Sequence, residues 1–228
     1  MLREIYIVRH GYRNDWEHPG SLSPTGLPHD PSLYTIGVQQ AEETAQILKE
    51  KPIQAIFSSP FYRCLQTAKP TANALGMNIN VEYGIGEWYG TTRSFYPLPA
   101  SMDRLKELYP EIDTSYVPVL AAPTGMETMR QVHERVQAAM DKLVEQCDAK
   151  YEQVVLFGHA ASVICAVRAL LEDWSFYVNA GTCSISKLER QENGKWELIT
   201  NGSTDHLSQG NLRSWMFEGD VPSYEVHQ

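Results

Sequence analysis

Paired cysteines, long hydrophobic runs and an excess of positive charge are all missing from this chain. Its four cysteines, Cys64, Cys147, Cys165 and Cys183, show no CxxC spacing, so neither a disulfide framework nor a zinc ribbon is indicated. The seven histidines include no HExxH pair, and with them goes the commonest zinc-enzyme pattern. No apolar stretch approaches the ~18 residues of a membrane-spanning helix, and no signal-like segment opens the chain. Together these features imply an intracellular protein with reduced thiols and no membrane partner. Lys and Arg total 19 against 28 Asp and Glu, a formal charge of −9. Direct nucleic-acid binding is disfavoured on that balance, because it needs clustered cations over a broad surface. One local basic pocket remains compatible with it.

The 228 residues, 43% hydrophobic and 21% charged, suit one globular domain over 1–228 with a substantial core. Ile5 to Val8 is a short β-branched and aromatic run that reads as a buried strand. Residues from about Asn14 to Leu33 form a long loop, a length that usually marks function or mobility. Thr35 is positioned to cap a helix to about Lys49, with Val38, Ala41, Ala45 and Leu48 on its inner face. Pro52 stops it. Ile53 to Phe57 reads as a second strand, after which Ser59 and Pro60 form an N-cap and first-position pair. The following helix presents Leu65, Ala68, Ala72 and Leu75.

Asn78 to Tyr83 is the third expected strand. Gly84 to Pro123 has little periodicity beyond a short helix over Ser101–Tyr109. Thr124 to Glu127 has the form of a capping box, leading a helix with Met129, Val132, Val136, Ala139, Leu143 and Cys147 on one stripe. Val154 to Phe157 is an unbroken apolar run, as a central strand covered on both faces should be. It ends in Gly158-His159, and a helix follows to about Leu171. Thr182–Leu188 and Trp196–Thr200 read as a hairpin turning at Asn193-Gly194. Beyond Asn201 comes a polar tail with three aromatics, Trp215, Phe217 and Tyr224. The alternation predicts a three-layer α/β/α sandwich around a mostly parallel sheet.

Four places could carry chemistry. Two strands end alike, in Val8-Arg9-His10-Gly11 and in Phe157-Gly158-His159-Ala160. If they are neighbours, both imidazoles reach the crevice at the carboxyl end of the sheet. A glycine at Gly11 would permit close backbone approach there. Arg63 falls in the first turn of its helix, where free N–H groups and the helix dipole favour an anion. Glu87, between glycines and Trp88, could be a partly desolvated carboxyl with a raised pKa, as a general acid requires. Each has a plainer reading: a turn, a strand-end histidine, a solvated arginine, a loop glutamate. Singly, the plainer reading is the better one.

Taken in order, the four segments resemble the histidine phosphatase superfamily, whose fold is phosphoglycerate mutase-like. Arg9-His10-Gly11 matches its Arg-His-Gly motif, Ser59 through Arg63 to Thr67 its second arginine, Glu87 its acid, and Gly158-His159 its strand-end histidine. Mutases usually follow Arg-His-Gly with Glu-Ser or Glu-Thr, whereas this chain has Tyr12-Arg13. It is similar there to the suppressor of T-cell receptor signalling phosphatases, which share something like Asp30-Pro31-Ser32-Leu33 with Gly37 and Gln40-Ala41. Nearer still are Ser58–Cys64, Gly84–Tyr89, His159–Ser162 and the tail around Thr204–His206. These look like the fungal histidine-phosphatase-like subunit of transcription factor IIIC and its stand-alone paralogues.

That resemblance implies a phosphomonoesterase that works through a phosphohistidine. His10 would be the nucleophile and Glu87 the proton donor, with Arg9, Arg13, Arg63 and His159 on the phosphate. Small molecules and phosphoproteins are both substrate classes within it. No metal and no cofactor are implied, because the arginines supply the positive charge. The alternative it carries is a weakly active or inactive phosphate-binding module partnered by transcription factor IIIC subunits. A phosphoglycerate mutase is the third and least favoured reading.

Overall fold

The computed structural model describes residues 1–220. Its six strands are β1 (Glu4–Arg9), β2 (Ala55–Ser58), β3 (Ile79–Val81), β4 (Gln153–Gly158), β5 (Ile185–Arg190) and β6 (Trp196–Ser203). The helices among the described residues are α1 (Thr35–Leu48), α2 (Tyr62–Leu75), α3 (Met102–Leu108), α4 (Met129–Asp148) and α5 (Ala160–Leu171). One sheet runs β3-β2-β4-β1-β5-β6, the first four parallel and the last two antiparallel.

Strand alternation divides the core in two. Tyr6, Val8, Ile56, Val155 and Phe157 face one layer with Leu48 of α1, Leu65, Ala68 and Ala72 of α2, and Leu105 of α3. Ile5, Ile7, Phe57, Val154 and Leu156 face the other with α4 and α5. The α/β/α expectation holds for that reason: the interior parallel strands β1, β2 and β4 carry unbroken apolar runs, so both faces must be covered. All four cysteines are buried and free.

Helix starts differ most from expectation. Thr35 is the first residue of α1 rather than its cap, and the preceding Tyr34 makes no capping bond. The buried stripe of α1 is Gly37, Gln40, Ala41, Thr44, Ala45 and Leu48, while Val38 is exposed. That rotation lets Gln40 accept from the Tyr12 amide at 3.0 Å. Ser59-Pro60 does not begin α2, because Phe61 is the capping residue. The Ser59 hydroxyl is engaged by His159 instead, and Asp30 of the long loop takes the first free amide, Tyr62 N, at 2.8 Å.

The capping box of α4 is Thr128 with Gln131, four residues past Thr124. Glu127 is unavailable to Thr124 because Arg135 holds both its oxygens, at 2.6 and 2.8 Å. Met129 is exposed as a result of the later start. The segment after β6 is no mere polar tail: Phe217 is buried, and with Trp215 it packs on Trp88. Tyr224 lies outside the described residues.

Candidate active site

β1 and β4 are adjacent and parallel, with Arg9 in register with Gly158. His10 and His159 therefore leave the sheet side by side, their ring centroids 5.4 Å apart. A tight backbone crossing holds the first of them. A Cβ on Gly11 would lie 2.6 Å from Gly37 O, and one on Gly37 would lie 2.2 Å from Tyr12 O. No side chain fits at either position. Gly11 N donates to Thr67 Oγ1 at 3.0 Å, and Thr67 Oγ1 donates to Arg63 O at 2.7 Å. The loop after β1 and the start of α2 are thereby tied together.

His10 Nδ1 lies 2.8 Å from Gly11 O. A carbonyl only accepts, so Nδ1 carries the proton and Nε2 keeps its lone pair. Burial first, then Arg63 and Arg9, holds the His10 pKa well below the ordinary histidine value. The ring is neutral at pH 7, in the tautomer a nucleophile needs.

His159 is fully buried and engaged at both nitrogens. Nε2 is 2.7 Å from Ser59 Oγ, and Nδ1 is 3.2 Å from both Arg63 Nη2 and Glu87 Oε2. Burial pulls its pKa down to about 4, the Glu87 carboxylate only partly opposing. It does not line the cavity above His10. The structure thus brings His159 to the site but behind it, contacting Arg63 and Glu87.

Arg63 is buried, bonded to Glu87 Oε2 at 2.9 Å and stacked 5.0 Å from the Phe61 ring. Its charge is secure: burial opposes it, but Tyr89 and Glu87 raise its pKa above the usual arginine value. Arg9 is held by two carbonyls, Ala180 O at 2.6 Å and Arg213 O at 2.5 Å. Burial lowers its pKa to about 10, which leaves it charged at neutrality. The Nε atoms of Arg9 and Arg63 are both buried without an acceptor. Leaving such a donor unpaired costs ~1–3 kcal/mol.

Arg13 lines the same cavity but pairs bidentately with Asp15 at 2.9 and 2.5 Å, so much of its charge is already balanced. Glu87 departs from expectation. Burial does push its pKa up, but His159, Arg63 and His10 outweigh this and hold it well below the usual carboxylate range. The setting is a cluster of cationic and imidazole groups, not the apolar pocket that a raised value would need.

His10, Arg9, Arg63 and Glu87 line a cavity of about 740 Å³, together with Trp16, Tyr89, Arg93 and Phe95. His10, Glu87 and His159 also offer ligand atoms within 4.8 Å of one another. Two guanidiniums share the space, and Arg63 already occupies the Glu87 oxygen nearest His159, so the site suits an anion better than a cation. Asp30, Ser59, Thr67 and Gln40 fall inside the motifs that carry the resemblance, but the sequence assigns them no role in the site. Each is a fully buried polar side chain, and burial is not legible in a single chain.

A family model described as histidine phosphatase superfamily (branch 1) matches residues 5–202. The transcription factor tau 55 kDa subunit of Saccharomyces cerevisiae is 32% identical over 257 residues, covering 96% of this chain and 59% of that protein. The ecdysteroid-phosphate phosphatase of Drosophila melanogaster is 27% identical over 241 residues, covering 86% of this chain and 32% of that one. The chain thus spans less than two thirds of either relative. Among solved structures, the ecdysone phosphate phosphatase from Bombix mori with tungstate superposes with a TM-score of 0.72 at 17% identity, covering 99% of this chain and 100% of that one.

Proposed function

The chain belongs to the histidine phosphatase superfamily, and we propose that within it the protein is a phosphomonoesterase that passes through a phosphohistidine. One observation carries the reading. A neutral imidazole with its Nδ1 proton committed to Gly11 O shares a cavity with two buried arginines, each with an orphaned Nε donor. The positive charge of the pair calls for an anion, and guanidinium geometry suits two phosphate oxygens at once.

In the proposed cycle His10 Nε2 attacks phosphorus as the ester P–O bond breaks. Glu87 gives the departing oxygen a proton, then takes one from the water that cleaves the P–N bond, returning neutral His10 and releasing phosphate. Arg9 and Arg63 hold the equatorial oxygens, and positioning with charge stabilisation supplies most of the acceleration. Glu87 is ionised in this setting, so the proton must arrive with the substrate. A monoanionic ester carries it in; equally, a bound dianion raises the carboxyl's pKa by like-charge repulsion. Both routes need one proton per encounter. For an alkyl phosphate, kcat/KM should therefore fall about tenfold per pH unit above the ester's second pKa of about 6. A flat profile from pH 6 to 8 would remove Glu87 as proton donor.

Rapid quenching during turnover should trap an acid-labile, base-stable phosphoenzyme that is absent in His10→Ala. Activity should survive a chelator, since the arginines supply the cationic charge. Likeness to the yeast transcription factor subunit favours a second reading, a weakly active or inactive phosphate-binding module within such a complex. Nitrophenyl phosphate turnover in wild type, lost in His10→Ala, separates the two. Tyr12-Arg13 argues against a phosphoglycerate mutase. No conversion of 3-phosphoglycerate should occur even with a bisphosphoglycerate primer.

A further inference from the structure

The cavity of about 740 Å³ is several times larger than a phosphate group requires and falls within the size range of small-molecule sites. Two parts of its lining differ. One is Trp16, whose ring already has three guanidiniums against it, Arg213 at 5.0 Å, Arg13 at 5.1 Å and Arg9 at 5.9 Å. The other is the segment immediately after Glu87. There Tyr89 is fixed edge-on to Phe61 and Tyr96. Phe95 lines the cavity while 61% exposed, with no ring partner among the described residues.

That second part also carries a spare cation. Arg93 stacks 5.1 Å from the Tyr89 ring and has no carboxylate partner among the described residues. Asp15 and Glu87, the carboxylates lining the cavity, are already paired with Arg13 and Arg63. The cations that act most strongly on His10 are Arg63, Arg9 and Arg13. Arg93 is not among them.

On the reading above, the proton donor must sit beside the leaving oxygen, so the leaving group lies on the Glu87 side. Residues 88–95 continue from Glu87 along the same cavity. From this we infer that Tyr89, Phe95 and Arg93 form a leaving-group subsite, and that the substrate is a small-molecule phosphate ester whose alcohol has an apolar body and a second anionic group. Phe95 and Tyr89 take the apolar body. Arg93 takes the anion. This inference rests on the proposed phosphatase site, yet it can fail alone.

The test is binding, independent of turnover. 4-Carboxybenzylphosphonate and its neutral 4-carbamoyl analogue are titrated by calorimetry into wild type, Arg93→Gln and Phe95→Ala. Arg93 and Phe95 are exposed, so neither variant should perturb folding. The carboxylate should bind wild type about tenfold tighter, as one charge-assisted hydrogen bond warrants. That preference should vanish in Arg93→Gln, and Phe95→Ala should weaken both ligands alike. Equal affinities in wild type, or a preference that survives in Arg93→Gln, overturns the subsite. If neither phosphonate binds while vanadate still does, the subsite falls and the phosphate site stands. If vanadate also fails, both readings fall. A phosphoserine peptide with an acidic neighbour that displaces the phosphonates at lower concentration would overturn the assignment to a small molecule.

Discussion

The two strand ends that carry histidines look alike in sequence and are opposites in structure. After β1, His10 commits one nitrogen to a backbone carbonyl and lines the cavity, its other nitrogen without a hydrogen bond among the described residues. After β4, His159 has both nitrogens engaged, by Ser59 on one side and by Arg63 and Glu87 on the other. Both rings are buried and neutral at pH 7, so burial and charge do not separate them. The partner of the second nitrogen does. On the proposed mechanism His10, with a carbonyl on Nδ1, is the nucleophile, and His159, hydrogen-bonded at both nitrogens, positions its neighbours.

The largest test of that contrast is the pair His10→Ala and His159→Ala. On the proposed mechanism the first removes the attacking atom and should cost roughly 10⁴–10⁶-fold in turnover. The second removes support for Arg63 and Glu87 and should cost ~10²–10³-fold, about what one preorganised donor contributes. Equal losses in steady-state kinetics would break the comparison.

Glu87→Gln comes next. An alkoxide leaves badly without a proton, and nitrophenolate leaves unaided. Loss should therefore reach ~10²–10⁴-fold on an alkyl phosphate and be small on nitrophenyl phosphate. An equal loss on both would make Glu87 a positioning residue, like His159.

Arg63→Ala probes the link between the two histidines, since Arg63 bonds Glu87 and His159 and lines the cavity above His10. Inhibition by vanadate should weaken by ~10²-fold, the loss expected of a charged hydrogen bond in a desolvated pocket. Unchanged inhibition would take Arg63 off the phosphate and leave it a purely structural partner of His159.

The smallest effect is on stability. His159 has a folded pKa near 4 against ~6.5 unfolded. Between these values the unfolded chain binds more protons, so stability falls as pH drops. From pH 7 to pH 5 the cost is about 2 kcal/mol for this group. The low pKa of Glu87 adds little in that window, because its carboxyl is ionised in both states there. Urea unfolding midpoints at the two pH values should differ less in His159→Gln than in wild type. His10, also buried with a lowered pKa, contributes in the same direction in both proteins, so an undiminished difference would show that His159 contributes none of it.

The same contrast explains what was legible beforehand. Short apolar runs ending in histidine placed β1 and β4, because an interior strand of a three-layer fold must be apolar on both faces. Local signals failed where a distant residue had a prior claim on the group. Ser59 has the sequence context of a cap, but His159 holds its hydroxyl and Asp30 caps α2 from another loop. Glu127 has the spacing of a capping box, but Arg135 holds its carboxylate. Glu87 has the flanking residues of a carboxyl with a raised pKa, yet its neighbours in space are Arg63 and His159.

By itself, then, the sequence determined the elements, their layering and the chemical groups at each strand end, since periodicity and residue type are local properties of the chain. It also allowed the crossing of Gly11 and Gly37, because only residues without a Cβ can pass so close, but the fold brought the two together. Tertiary structure alone decided which histidine keeps a free nitrogen, which arginine keeps an unpaired charge, and in which direction each pKa moves. Those properties depend on distances between residues far apart in the chain, such as the 2.7 Å between Ser59 and His159. Electrostatic energy follows distance and burial, and neither is set until the chain has folded.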